Sequence, residues 1–488
     1  MSKSQVLFTH SYFLRFDPKQ WKLQQPYPPL GTLYAGAVLR EAGYSVALHD
    51  TMFSHGPEEL LKALETHAPK YLVIYDDGFN YLTKMCLTNM REAAFTMSRM
   101  AKDAGCTVII CSSDSTDNAD KYLQAGADFV ITGEGEITLR TLLDNLEQNA
   151  ENLSHVQDIT YLINNSIAQN PPRPVLTELD SLPVPAWDLV DMDAYRSRWL
   201  KHYGYFSLNM ATTRGCPYKC NWCAKPIYGN RYNNRSPEHV VAELRYLVRI
   251  HGATHIWFCD DIFGLKPGWL ERFEALVKVS NLEFRFKIQS RADLLVKGNT
   301  IVLLARAGCE AIWMGAESGS QKILDAMDKG IEVSQVHTAT SMMKAHGIKP
   351  SFFLQFGYLG ETAEDIQATV NMLMKLMPDD IGISVSYPLP GTKFYEKIKD
   401  TLTVKTNWTD SDEMAMMFRN NFKPYFYKQL HRFVHKKFRR QQGFNALKAM
   451  LKNPFIIDYS TLRKAASVLY YIPATLLEAQ KLKKVTEQ

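Results

Sequence analysis

Three cysteines, Cys216, Cys220 and Cys223, fall within eight residues of the stretch TTRGCPYKCNWCAKP, spaced C-x3-C-x2-C. Three thiolates on one tight loop can hold three irons of a cubane iron–sulfur cluster and leave the fourth iron without a protein ligand. Such an open metal site can bind a substrate or cofactor directly. Structural zinc wants four closed ligands, and the nearest fourth donors, His202 and His239, do not stand at finger-like spacing. The other five cysteines (Cys86, Cys106, Cys111, Cys259 and Cys309) lie in or beside apolar runs and read as small buried hydrophobes. Eight cysteines in 488 residues are too sparse for a disulfide scaffold.

The elements around this loop alternate. Residues 5–150 run strand, helix, strand, from QVLFTH and LGTLYAGAVLREAGY through SVALHD, YLVIYD and TVIICSS to DFVITGEGE. That alternation predicts right-handed crossovers and a Rossmann-like, doubly wound parallel sheet over residues 1–150. Ligands bind beyond the carboxyl ends of such strands, here His10–Tyr12, Asp76–Asp77, Ser112–Asp114 and Gly133–Glu136. Prolines and asparagines break residues 151–200 into a linker with room for one small hairpin. From Phe206 six βα units follow to about residue 400, fewer than a closed eight-fold barrel needs, so a partial (β/α)6 barrel is expected over 201–400. Residues 413–445 and 460–484 carry helical patterns, and 401–488 reads as a basic helical region.

Length suggests several domains rather than one core. No apolar run is long enough for a transmembrane helix, and Met1–His10 lacks the pattern of a signal peptide, so a cytosolic protein is expected. The net charge of +5 is uneven: residues 401–488 hold 16 Lys and Arg against 6 Asp and Glu. The stretch NNFKPYFYKQLHRFVHKKFRRQQGF could meet an anionic, partly apolar substrate or a membrane surface, or could pack as an amphipathic helix on the barrel.

An ordered series of motifs resembles the radical S-adenosylmethionine (SAM) family. The cysteine triplet has an aromatic, Trp222, before its last member. IWFCDDIF, FKIQSRAD, MGAESGSQKILDAMDKG, FGYLGET and YPLPGTKFY follow at the family's strand ends. PYPPLGTLYAGAVLREAGYSVALHD, ADFVITGEGEITL and YFLRFDPKQ are similar to the cobalamin-binding branch, nearest to anaerobic magnesium-protoporphyrin monomethyl ester cyclase and its relatives.

The resemblance implies a [4Fe-4S] cluster on Cys216, Cys220 and Cys223 that binds SAM at its open iron and cleaves it with one electron. It implies Glu317 and Gly315 at the SAM ribose, Asp260 or Asp261 at the SAM ammonium, and Arg291 at its carboxylate. Asp260 and Asp261 could instead cap a helix, and Arg291 could be a surface ion-pair residue. It implies cobalamin on the first sheet, with Ser112, Ser113 and Thr116 near the nucleotide tail and Gly133 and Gly135 allowing close backbone approach. The cobalt-ligating Asp-x-His-x-x-Gly is absent; His10, His49 and His55 lack that context. The sheet could also be a degenerate fold retained for packing.

Methylation, oxidation or cyclisation of a small molecule all fit, with an electron donor such as flavodoxin or ferredoxin and no nucleic acid. A methylthiotransferase would need three more cysteines on the first sheet, and none precedes Cys86. An iron–sulfur electron carrier would leave the barrel motifs without a purpose.

Overall fold

The computed structural model describes residues 3–84, 87–150, 152–223, 228–405, 407–452 and 458–486. Cys86 lies outside them. The first sheet has seven strands: β1 Val6–Thr9, β2 Val46–His49, β3 Tyr71–Tyr75, β4 Thr107–Cys111, β5 Phe129–Ile131, β6 Ile159–Ile163 and β7 Ser166–Gln169. They lie in the order β2-β1-β3-β4-β5-β6-β7. The first five are parallel, and β6 and β7 add antiparallel at the edge. VLFT and YLVIY are buried on both faces, as inner strands of a doubly covered sheet must be. Leu60, Leu64, Ala94 and Met97 form the core on one face; Ala35, Leu39, Leu139 and Leu142 form it on the other.

The segment expected as a linker is folded. Its hairpin turns at Asn164 and Asn165, both in the left-handed region (φ 48° and 62°), and extends the first sheet instead of standing alone. Helix Met192–Tyr203, capped by Asp191, then lays Trp199 against Tyr27.

The second sheet is parallel throughout, in the order β15-β14-β13-β12-β11-β8. Its strands are β8 Ser207–Met210, β11 His255–Phe258, β12 Arg285–Ser290, β13 Cys309–Glu317, β14 Lys349–Phe356 and β15 Asp380–Val385. These are the six βα units of an open half-barrel. A two-residue hairpin, β9 Thr213–Arg214 with β10 Asn233–Asn234, brackets the cysteine loop.

The long helix is Pro424–Lys452, so residues 413–423 are not helical as their pattern suggested. Leu402 and Phe418 pair there as an antiparallel bridge, and Met414, Met416 and Met417 are buried. Gly357, at the end of β14, has φ 76°, and Met416 and Tyr427 leave no room for a Cβ there. Helices Tyr459–Ala466 and Val468–Thr486 end the described chain. No helix among the described residues is long and apolar enough to cross a membrane.

Glu361, in the turn after β14, is fully buried. Its Oε2 accepts from Gly357 N at 2.6 Å, while Oε1 has no partner among the described residues. Burial pushes this carboxyl from 4.5 up to about 8. An acid raised on folding leaves stability intact below pH 4.5 and removes it as pH climbs to about 8. Urea titrations should therefore show the protein losing on the order of 3–4 kcal/mol between pH 5 and pH 8 through this group, and Glu361→Gln should flatten that slope. Equal slopes would mean that Glu361 ionises normally.

Candidate functional site

The cysteine loop leaves the carboxyl end of β8 and is pinned at several points. Asp260, at the end of β11, accepts from Thr212 N and Oγ1 at 2.7 and 2.9 Å, and from Thr213 N and Oγ1 at 2.6 and 2.9 Å. Burial pushes its carboxyl up to about 6. Its oxygens are thus engaged by the strand that leads into the loop. Asp260 caps no helix; the next one starts after Gly268. Gly215, with φ 79°, comes within 2.8 Å of Tyr228 O at the place where a Cβ would be, so only glycine lets the chain turn into Cys216. Asn221, inside the motif, is buried. It donates to Ala326 O and Asp328 Oδ2 at 2.8 and 3.0 Å and accepts from Tyr358 Oη at 2.8 Å. It ties the loop to the end of helix Gln321–Ala326 and to the turn after β14.

Cations surround the sulfurs. Arg291 is buried, held by Asp293 at 2.9 Å and Lys329 O at 2.7 Å, and its Nη1 lies 3.8 Å from Cys220 Sγ. It stacks 3.7 Å over Tyr218 and is no surface residue. Asp261 pairs with Lys84, in the helix that follows β3, at 3.0 Å. Burial first, then Asp261 and the two neighbouring cysteines, pushes the Cys223 thiol up to about 12. Thiols that repel one another's charge become good ligands once a metal supplies the compensating positive charge.

As placed, no group of three His, Cys, Asp or Glu side chains among the described residues is gathered closely enough to hold a metal ion. The sulfurs would draw together on a cluster. Their number, softness and flanking guanidinium fit one with an open iron. Residues 224–227, at the end of the motif, lie outside the described residues.

Glu317 ends β13 at a register shift against β14, with φ 55°. A non-glycine residue held there stores about 1–3 kcal/mol of strain, a feature that gathers at functional sites. Glu317 Oε1 accepts from Lys329 Nζ at 2.7 Å, and Lys329 in turn lies 5.8 Å over Trp222. A Cβ on Gly315 would come within 2.6 Å of Glu317 Oε1 and 2.7 Å of Lys329 Nζ, so this glycine makes space for the pair. Glu317→Gln keeps the shape and removes the charge. It should weaken SAM binding about ten- to a hundred-fold, as loss of a charged hydrogen bond does, at unchanged iron content. Equilibrium dialysis with intact SAM checks this; unchanged affinity would assign Glu317 to structure.

The first sheet faces the same loop. Arg214, two residues before Cys216, is buried and reaches Glu136 at 2.6 Å and Glu134 at 3.1 Å in the GEGE turn after β5. Tyr228, Phe79 and Tyr34 surround its guanidinium at 4.9, 5.5 and 5.6 Å. Gly31 N, in PYPPLGT, donates to Asp77 Oδ1 at 3.1 Å at the end of β3.

The residues expected around cobalamin, Ser112, Ser113 and Thr116 at the nucleotide tail and Gly133 and Gly135 for close backbone approach, divide. Thr116 and Gly133 line a cavity of about 670 Å³ with Thr132, Asp158, Arg173 and Arg214. The Ser112 hydroxyl is engaged in a capping box with Ser115, and Ser113 sits beside it in the first turn of that helix. The close approach at Gly135 is to Tyr75 and Cys111, within 2.8 Å of an added Cβ, and serves packing. Lys84, Arg214, Asn221 and Lys329 are the site residues that motif reading missed. The first three left no local signal; Lys329 stood in MGAESGSQKILDAMDKG, spaced to reach Glu317.

Residues 210–373 match the Radical SAM superfamily. Over 387 residues the chain is 28% identical to an uncharacterized methyltransferase of Pyrococcus horikoshii, covering 78% of this chain and 81% of that one. Over 396 residues it is 27% identical to the anaerobic magnesium-protoporphyrin IX monomethyl ester cyclase of Synechocystis sp., covering 79% and 76%. The fold is similar to that of OxsB, a cobalamin-dependent SAM radical enzyme solved with aqua-cobalamin and SAM. The TM-score is 0.73 at 15% identity, over 97% of this chain and 72% of that one. It is also similar to the radical SAM methyltransferase TsrM of Kitasatospora setae, with TM-score 0.65 at 16% identity, over 82% and 75%.

Proposed function

We propose that this chain, with its radical SAM segment and a fold like that of cobalamin-binding radical SAM enzymes, is a cobalamin-dependent radical SAM enzyme that methylates, oxidises or cyclises a small molecule. The observation that carries the reading is the cysteine loop at the carboxyl end of β8, tied through Arg214 to the carboxyl end of β5 in the other sheet. Both ligand-bearing sheet ends thereby meet at one place. Bound there, an iron–sulfur cluster, SAM and cobalamin supply one-electron and methyl-transfer chemistry that no side chain offers.

The residues divide the remaining work. Cys216, Cys220 and Cys223 are the cluster ligands. Asp260 and Asn221 are positioning residues: one fixes the strand into the loop, the other its middle. Arg291 places a permanent cation beside Cys220, where it offsets thiolate charge and could pair with a carboxylate of SAM. Glu317, oriented by Lys329, is the acceptor for a ribose hydroxyl. Asp261 is the remaining candidate at the SAM ammonium, since the oxygens of Asp260 are engaged. Thr116 and Gly133 are the first-sheet residues we assign to cobalamin. The substrate is a small molecule, and reduction comes from a separate electron donor of the flavodoxin or ferredoxin kind.

A methylthiotransferase reading finds little support on the first sheet. Its described cysteines, Cys106 and Cys111, are buried thiols, both pushed up by burial.

Equilibrium dialysis of the full-length, anaerobically reconstituted protein against cobalamin tests the cofactor assignment. We expect retention near one equivalent. The cob(II)alamin EPR spectrum should lack hyperfine coupling to a protein nitrogen, because no Asp-x-His-x-x-Gly histidine is present. No retained cobalamin would overturn that assignment and leave a radical SAM enzyme without it.

A further inference from the structure

The last helices carry an outer face that no other described residue covers. Helix Val468–Thr486 turns Ala474, Thr475 and Glu478 inward, where Gln429 and Lys436 of helix Pro424–Lys452 bind Glu478. On its opposite side Leu469 is 82% exposed, Tyr470 62%, Leu476 58% and Leu477 50%. These positions share one face at helical spacing. One turn further, the same face continues into Lys481, Lys483 and Lys484, all exposed. Helix Tyr459–Ala466 adds exposed Tyr459 and Leu462 beside Arg463 and Lys464. Between residues 443 and 486 the acidic side chains are Asp458, which caps a helix by accepting from Thr461 N at 2.6 Å, and the buried Glu478.

We propose that this face docks on an anionic lipid bilayer. Leucine and tyrosine side chains enter the headgroup boundary, and the lysines beside them stay level with lipid phosphates. Contiguous exposed apolar surface of this kind marks an interaction site. Its excess of lysine and arginine over acid selects the occupant: a second copy would set lysines against lysines, whereas an anionic surface complements them. This inference does not depend on which cofactors the chain binds.

Co-sedimentation of the full-length protein with vesicles tests it. Vesicles of phosphatidylcholine containing phosphatidylglycerol should carry the protein down, with affinity about ten-fold or more above phosphatidylcholine alone. A Leu469→Glu, Leu476→Glu variant and a Lys481→Gln, Lys483→Gln, Lys484→Gln variant should each lose about ten-fold, with unchanged thermal melting because all five side chains are exposed. Three results would each overturn the proposal: wild-type protein left in the supernatant, variants that bind like wild type, or a dimer that these substitutions dissolve in place of vesicle binding.

Discussion

Arg214→Ala should destabilise the protein by about 3–5 kcal/mol, the cost of leaving buried carboxylates without their cation. Arg214 is 3% exposed, and its partners Glu134 and Glu136 sit in the other sheet's GEGE turn. Burial already pushes the Glu134 carboxyl up with the guanidinium in place. Without it, the Glu134 carboxyl would be raised further, so the variant should regain stability as pH falls and that acid protonates. A triple variant, Arg214→Met with Glu134→Gln and Glu136→Gln, should recover most of the loss, because replacing every charge leaves none unpaired. Urea unfolding at pH 5 and pH 8 measures all three proteins. A loss below about 1 kcal/mol for Arg214→Ala would mean that the bridge is a solvated contact. The effect should extend to chemistry, since Arg214 stands two residues before Cys216: the variant should release its iron faster than wild type.

That bridge is also where sequence reading reached its limit. The cysteine triplet is local, and three identical residues in eight announce themselves. Glu317 and Arg291 followed because strand ends carry recognisable runs. The partners of Arg214 lie 78 and 80 residues away, and those of Lys84 lie 177 away. Nothing in a stretch such as TTRGC tells a buried arginine from a solvated one, because its burial is decided by a sheet folded elsewhere. Asn221 was hidden by its neighbours: between two cysteines it reads as loop filler, yet it bonds the end of helix Gln321–Ala326, Tyr358 and Phe394 N. Asp260 and Asp261 look equivalent on paper, and only their surroundings separate the positioning residue from the one at a charged edge.

The elements repeat this pattern. The five parallel strands of the first sheet and the six of the second were legible from alternating buried runs and helical spacing. Helix Met192–Tyr203 was missed because its prolines upstream suggested a linker, although Asp191 before it and Gly204 after it are ordinary cap signals. Residues 413–423 misled in the other direction. Met414, Met416 and Met417 are buried there, Met416 over Gly357, and the pattern of burial owes nothing to a helix. The double glycine turn around β5 was read as a ligand contact; at Gly135 the close neighbours are the protein's own Tyr75 and Cys111.

The central claim is that Cys216, Cys220 and Cys223 hold one cluster at which SAM is cleaved. Replacing all three by Ala should remove the ligands without disturbing the fold, since the loop is held separately by Asp260, Asn221 and Gly215. The barrel should therefore melt as a folded unit in the variant, which separates loss of ligands from loss of structure. The most direct measurement is iron content together with reductive SAM cleavage, on wild-type and triple-variant protein reconstituted anaerobically side by side. Wild type should carry about four irons per chain and, given dithionite, release 5′-deoxyadenosine and methionine from SAM. The triple variant should be colourless, hold no cluster and form neither product. A variant that keeps its cluster, or a wild-type protein that binds four irons yet never cleaves SAM, would contradict the account.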